Sequence, residues 1–255
     1  MNSKVCVSTK FNGKKTVNDD VFFTPPYKII APIYNDDEAE IVLLSSSAGL
    51  LKGDNIDMQF SFGENSNAKI SSQSYEKVFD TLDGKVTRRV EIDVLQDAFV
   101  KFMPYPTIPF KNSNFHSVTT VNLAKKSKFC YVDIFSCGRV LSDERFEMNK
   151  FYNNFTVKVK NIPVFIDNTL IEPKIWDYDS IGLWHGYTHN GFMYIYGSDD
   201  EQSLIKDTLE LAKELIPDFE IGASQCKKGI CIRILGDSGD RIFKYFKKVS
   251  ILLLS

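Results

Sequence analysis

A chain of 255 residues with 43% hydrophobic and 25% charged content has the make-up of a soluble globular protein able to bury a sizeable core, as one large β domain or two smaller ones. Its formal net charge of −2 argues against bulk attraction to nucleic acid or to an anionic membrane. No apolar run approaches the span of a bilayer (Ile251-Leu252-Leu253-Leu254 is far too short), Met1-Asn2-Ser3-Lys4-Val5 lacks the apolar stretch of a secretion signal, and five cysteines fall in no framework spacing, so a reducing, cytoplasmic setting is expected.

Most of the chain before Asp199 reads as strands. Between Gly49 and Lys77, two β-type segments flank the turn Gly63-Glu64-Asn65-Ser66. If they pair as a hairpin, Gly53-Asp54 and Ser71-Ser72-Gln73-Ser74 fall at the same end. Val90, Ile92 and Val94 alternate with Arg89, Glu91 and Asp93, and Phe155, Val157 and Val159 alternate with Thr156, Lys158 and Lys160. Such strands bury one face and wet the other. Cys130, Val132 and Ile134 share one face of another strand, while Phe129, Tyr131 and Phe135 share its opposite face. A strand apolar on both faces belongs between two layers. Turn signals recur at Asp36-Asp37, Gly63 to Asn67, Asp83-Gly84 and Lys228-Gly229. No sequence repeat of fixed period is present.

Two helices follow. Asp199-Asp200 caps a segment reaching about Ile216, with Leu204, Ile205, Thr208, Leu211, Ala212, Leu215 and Ile216 on one stripe and Pro217 as the stop. The second starts near Ser238 and carries Ile242, Phe243, Phe246 and Val249 on one face, with Lys244, Lys247 and Lys248 toward the end that favours cations. Phe219 to Cys226 and Ile230 to Leu235 read as a hairpin between them. No Gly-, Ser- or Pro-rich linker interrupts the chain, so a single domain over 1–255 is expected, with a strand-helix cap at about 199–255.

No Walker A loop, G-x-G-x-x-G, G-x-S-x-G or H-E-x-x-H occurs. His185 and His189 have a spacing that would align their rings on a helix, but the surrounding glycines indicate a loop; surface or packing roles compete with metal ligation. With Lys228-Gly229 as a two-residue turn, Cys226 and Cys231 lie directly across the hairpin, where they would pack as thiols, bridge or share a soft metal. Asp143 and Glu144, as neighbours on a strand, point to opposite faces and cannot act on one bond. Arg139 can instead clasp Glu144 across the intervening turn.

Four spaced blocks resemble the urease accessory protein family called UreD, or UreH in some lineages. They are Gly49-Leu50 with Gly53-Asp54; Ala68 to Lys77, including Gln73 and Lys77; Met103-Pro104-Tyr105-Pro106-Thr107-Ile108-Pro109-Phe110; and Cys137-Gly138-Arg139 with Glu144 and Phe146. Arg233-Ile234-Leu235-Gly236 is a weaker echo. Two positions depart from the family: Lys52 and Asp143 stand where it commonly has glycine.

The resemblance implies a mainly β, extended, solenoid-like stack of many strands with two helices near the C-terminus. It implies a non-enzymatic scaffold that joins apo-urease to a helical UreF-type protein and a UreG-type GTPase. No tightly bound cofactor is implied, only nickel in transit. On this reading Asp54, Ser72, Gln73, Ser74, Lys77, Arg139 and Glu144 are candidates for a nickel path or a partner surface. Hydroxyl, amide and carboxylate oxygens hold such an ion weakly, which suits passage. Two rivals remain: a β-solenoid enzyme on a polysaccharide, using Asp177, Asp179, Trp176 and Tyr178, and a metal-storage protein.

Overall fold

The two-residue period is carried into the fold residue by residue. Along Val86–Val94, Val86, Val90, Ile92 and Val94 are buried while Arg89 and Glu91 face solvent. The computed structural model describes residues 1–35 and 37–253, so the expected turn at Asp36-Asp37 and the residue Leu254 fall partly or wholly outside the described residues.

In chain order the strands are β1 (Asn2–Phe11), β2 (Thr16–Phe23), β3 (Tyr27–Ile29), β4 (Ile33–Asn35), β5 (Glu38–Ser45), β6 (Asn55–Phe62), β7 (Asn67–Ser72), β8 (Glu76–Val78) and β9 (Val86–Val94). They continue as β10 (Phe99–Met103), β11 (Thr107–Pro109), β12 (Asn114–Leu123), β13 (Lys128–Ser136), β14 (Lys150–Val159), β15 (Ile162–Ile171) and β16 (His189–Tyr196). Helix α1 (Glu201–Leu215), strands β17 (Glu220–Gln225) and β18 (Ile230–Gly236), and helix α2 (Gly239–Leu252) complete the chain.

One sheet has the order β15-β14-β12-β9-β6-β1-β2, and the facing one β17-β18-β16-β13-β10-β7-β5-β3. In the first, β1, β6, β9, β12 and β14 pair in parallel. In the second, β5, β7, β10 and β13 do the same. The chain thus climbs a β-solenoid, alternating sheets at each arch. This corrects the hairpin expected between Gly49 and Lys77: β6 and β7 belong to opposite sheets and each hydrogen-bonds to the neighbouring rungs of its own sheet. The arch still leaves Asp54 and Ser72 at one end of the body, because the two strands run in opposite directions.

Three arches stack. Ser66 N–H donates to Gly63 O (3.2 Å), Ala98 N–H to Leu95 O (3.4 Å) and Ser127 N–H to Ala124 O (3.3 Å). Leu95 N–H reaches Phe62 O and Ala124 N–H reaches Val94 O, so each arch sets the next in register. Antiparallel strands finish the sheets: β2 and β15 at the ends of the first, and β16, β18 and β17 at one end of the second.

Strand β13 is apolar on both faces because it separates two cores. Phe129, Tyr131 and Phe135 enter the core between the sheets, whereas Cys130, Val132 and Ile134 enter the core beneath the helices. Asp200 caps α1 by accepting from Ser203 N–H (2.9 Å), and Ser238 caps α2 by accepting from Arg241 N–H (3.3 Å), as their sequence positions lead one to expect. Leu204, Thr208 and Ala212 carry the buried stripe of α1, while Leu215 at its end is exposed. Helix α2 seats closely because β16 offers Gly191 there; a Cβ at that position would stand 2.6 Å from Ile242 Cγ2.

The β17–β18 hairpin differs in register from the expectation. Gln225 faces Ile230 and Ser224 faces Cys231, so Cys226 lies in the connecting loop rather than opposite Cys231. Cys226 N–H donates to Gly229 O (2.8 Å), which closes a longer turn than Lys228-Gly229 alone. Both cysteines are free thiols.

Candidate functional site

Inward positions on the two sheets are mostly apolar, and several of the polar departures meet in one place. Arg88 takes an inward position of β9, between Val86 and Val90. Asp133 takes an inward position of β13, between Tyr131 and Phe135. Glu76 begins β8 and Tyr27 begins β3. All four line a cavity of about 650 Å³ between the sheets, together with Ser72, Gln73, Ser74, Lys77, Thr119 and Tyr131.

The polar wiring of this cavity is specific. Tyr27 donates to Glu76 Oε1 (3.1 Å), and Arg88 Nη1 donates to Glu76 Oε2 (2.6 Å). Arg88 Nε and Nη2 both donate to Ser117 Oγ (3.2 and 3.1 Å), and the guanidinium stands 5.0 Å from the centroid of the Phe115 ring. Asp133 Oδ2 accepts from Asn153 Nδ2 at 2.5 Å. Among the described residues Asp133 has no ion pair, since Arg88 is committed to Glu76. Burial therefore pushes the Asp133 carboxyl up to about 6, against the opposing pull of Arg88. Burial also raises the hydroxyls of Tyr27 and Tyr131. Thr119 Oγ1 and Asn153 Oδ1 are buried without a well-formed hydrogen bond, although the Tyr131 hydroxyl interacts with both side chains.

The rim is tied to the helices. Tyr75 donates to Asp240 Oδ1 of α2 (2.7 Å) and stacks on Tyr105 with centroids 6.0 Å apart. Tyr105 in turn stacks on Phe243 of α2 at 4.6 Å. Ser72 Oγ accepts from Tyr105 N–H (2.8 Å), which fixes the serine-rich end of β7 against the proline-aromatic run.

The sequence candidates separate into groups. Ser72, Gln73, Ser74 and Lys77 line the cavity. Asp54 does not: its carboxylate accepts from the Met1 ammonium and from Leu51 N–H, both at 2.8 Å. Arg139 and Glu144 form the expected clasp, a two-pronged ion pair in which Arg139 Nε donates to Glu144 Oε2 at 2.8 Å and Nη2 to Oε1. Glu144 also accepts from Lys111 N–H (3.3 Å), and Arg139 lies over Phe110, so the clasp joins the third and fourth sequence blocks away from the cavity. The geometry around it corrects one expectation. Asp143 and Glu144 are not strand neighbours; Asp143 ends a short 3-10 turn in a left-handed conformation, φ 56°. Asp tolerates that conformation, which suits it to a position where the resemblance led one to expect glycine. Gly138, at φ +146°, faces the Glu144 carbonyl, which a Cβ would meet at 2.6 Å.

The metal-ligand candidates do not converge. His185 sits in a loop at φ 44°, whereas His189 opens β16, packed near α2 with Nδ1 2.8 Å from Thr188 Oγ1. Burial pushes His189 down to about 4, so its imidazole is neutral at pH 7. Burial pushes the Cys231 thiol up to about 11 and raises Cys226 as well. Among the described residues no group of three or more His, Cys, Asp or Glu side chains is placed to hold a metal ion. The polysaccharide set is likewise wired into the scaffold: Asp179 pairs with Arg145, Asp177 Oδ1 accepts from Asp179 N–H, and Tyr178 donates to Leu170 O. Trp176, at 65%, is exposed together with Asp177 and Asp179, whereas Tyr178 is half-buried.

Residues 2–254 match the family model described as UreD urease accessory protein. The chain belongs to this family. It is 36% identical to the urease accessory protein UreH of Helicobacter acinonychis, over 98% of this chain and 95% of that one. Against UreH of Helicobacter hepaticus the identity is 33%, over 94% and 93% of the two chains. Against UreD of Acetivibrio thermocellus it is 30%, over 98% and 97%. This UreD-family chain is thus a urease accessory protein, with its partners in the urease maturation system.

Glu76, Arg88, Tyr27, Tyr131 and Asp133 escaped the sequence reading of the site. Asp133 left a signal: a carboxylate in the middle of the apolar face Phe129-Tyr131-Phe135. Arg88 left a similar one, a cation in the inward phase of a clean alternation.

Proposed function

We propose that this chain is a non-catalytic scaffold of nickel-urease maturation, joining apo-urease to a helical UreF-type protein and a UreG-type GTPase. In this reading its cavity is one stage of an internal nickel path. The observation that supports the path is the Asp133 carboxylate, buried without an ion-pair partner and facing a cavity whose lining includes several oxygen donors. An unpaired buried carboxylate is destabilising, and a visiting cation compensates it. Oxygen donors bind nickel more weakly than thiolate or imidazole, which favours transit over storage. A screened passage limits loss of the ion to bulk water and exchange for a competitor.

The test is nickel loading of apo-urease in a reconstituted mixture with the helical and GTPase partners, GTP and bicarbonate. Asp133→Asn is nearly isosteric and removes the charge. A severalfold drop in nickel content and urease activity, with partner binding retained, is expected. Loading at the wild-type rate would remove the cavity from the path. Co-purification of the chain with the helical partner, with and without the GTPase, tests the scaffold role, and failure to form either complex would remove it.

A further inference from the structure

The cavity holds a fixed positive charge where a cation path has least use for one. We propose that Arg88 is a resident counter-cation that prevents the cavity from retaining a divalent metal ion, so that the site passes ions on; this deepens, and rests on, the cation-path reading of the same cavity.

The charges can be summed. Of the inward-facing charges, Glu76 and Asp133 supply two carboxylates, and a divalent ion alone would neutralise them; Lys77 also lines the cavity but is exposed, where solvent screens its charge. Arg88 already neutralises one, so an arriving divalent ion leaves the cavity with a surplus of positive charge. Inside a protein that surplus is screened far less than in water. Arg88 is built in place rather than resting there: it is bonded to Glu76 at 2.6 Å and twice to Ser117, and it lies over the Phe115 ring, with only 13% of its side chain exposed. The residue type matters. A buried lysine can shed its proton and become neutral, whereas a guanidinium stays charged, so the repulsion persists at every working pH. Of the cavity lining, the ion is left with Asp133 and the Thr119 hydroxyl, whose Oγ1 is under-bonded on a side chain more than nine-tenths buried. That set recognises a cation through one charge and neutral dipoles, and holds it weakly.

The experiment is Ni²⁺ binding to the full chain by equilibrium dialysis at fixed pH and salt. Arg88→Gln is expected to tighten binding by about tenfold or more. The gain should vanish in the Arg88→Gln/Asp133→Asn double variant. Since Arg88→Gln leaves Glu76 unpaired, Glu76→Gln/Arg88→Gln removes the pair together and keeps the cavity folded; its affinity is expected to match or exceed wild type. Binding by folded Arg88→Gln no tighter than wild type, or a gain that survives Asp133→Asn, overturns the proposal. If Arg88→Gln does not fold, weaker binding by the Glu76→Gln/Arg88→Gln variant does so. The path reading is decided separately by nickel loading of urease with Asp133→Asn. Tightening by Arg88→Gln together with unimpaired loading by Asp133→Asn would uphold Arg88 as a charge barrier and reject the path.

Discussion

Asp133→Asn should make the protein more stable at neutral pH, and the gain should depend on pH. In the folded chain the Asp133 carboxyl is raised from 3.8 to about 6 by burial. Two units correspond to about 3 kcal/mol of bias toward the protonated form. The unfolded chain ionises this group from about pH 4 upward, whereas the folded chain resists until about pH 6. The penalty is therefore absent in strong acid, grows as pH rises through that window, and is complete above it. Asparagine removes the penalty but also the charge-assisted bond from Asn153 Nδ2, worth about 2 kcal/mol. The net expectation is a gain of about 1 kcal/mol at pH 7.5 that disappears near pH 4. Urea denaturation of both proteins at the two pH values measures it, and other titrating groups cancel in the difference. Destabilisation at pH 7.5, or an equal difference at both pH values, would refute the assignment of Asp133 as an unpaired buried charge.

Arg139 holds the Glu144 carboxyl below its usual range, so their clasp stabilises the fold above the unfolded value near 4.5 and is lost as pH falls through the lower folded one. Arg139→Ala should raise the Glu144 titration in a carbon-detected NMR series and lower the thermal midpoint at pH 7; an unmoved Glu144 would contradict the clasp. Gly191→Val places a Cβ 2.6 Å from Ile242 Cγ2, in a core with no slack, and should lower unfolding free energy by about 2 kcal/mol in urea. An unchanged midpoint would mean that α2 is not seated on β16 as described.

Much of this fold was legible one element at a time. Both helix caps, the alternation along β9 and β14, and the double-faced β13 follow from local chemistry and appear where the residues place them. The solenoid was not legible from periodicity, because its repeat is one of backbone geometry. The stacked arches are Gly63-Glu64-Asn65-Ser66, Leu95-Gln96-Asp97-Ala98 and Ala124-Lys125-Lys126-Ser127, which share hydrogen bonds but almost no residue types. The hairpin drawn across Gly63 to Ser66 failed for the same reason: a turn signal says that the chain reverses, not whether it returns to the same sheet. The register at Cys226 and Cys231 depended on how many residues the loop takes up, which the Lys228-Gly229 signal leaves open.

By itself the sequence determined the kind of element at each stretch, the phase of burial along each strand and, through four spaced blocks, the family. These are local properties, set by side-chain shape, caps and alternation within a few residues. Only the tertiary structure decided the site. Tyr27, Glu76, Arg88 and Asp133 come from four different strands and meet because parallel rungs stack and both sheets turn those positions inward. What the cavity can do rests on that meeting: Glu76 takes the Arg88 guanidinium in an ion pair, Asp133 is left buried with no ion pair of its own, and desolvation shifts its proton affinity by an amount no single strand could reveal.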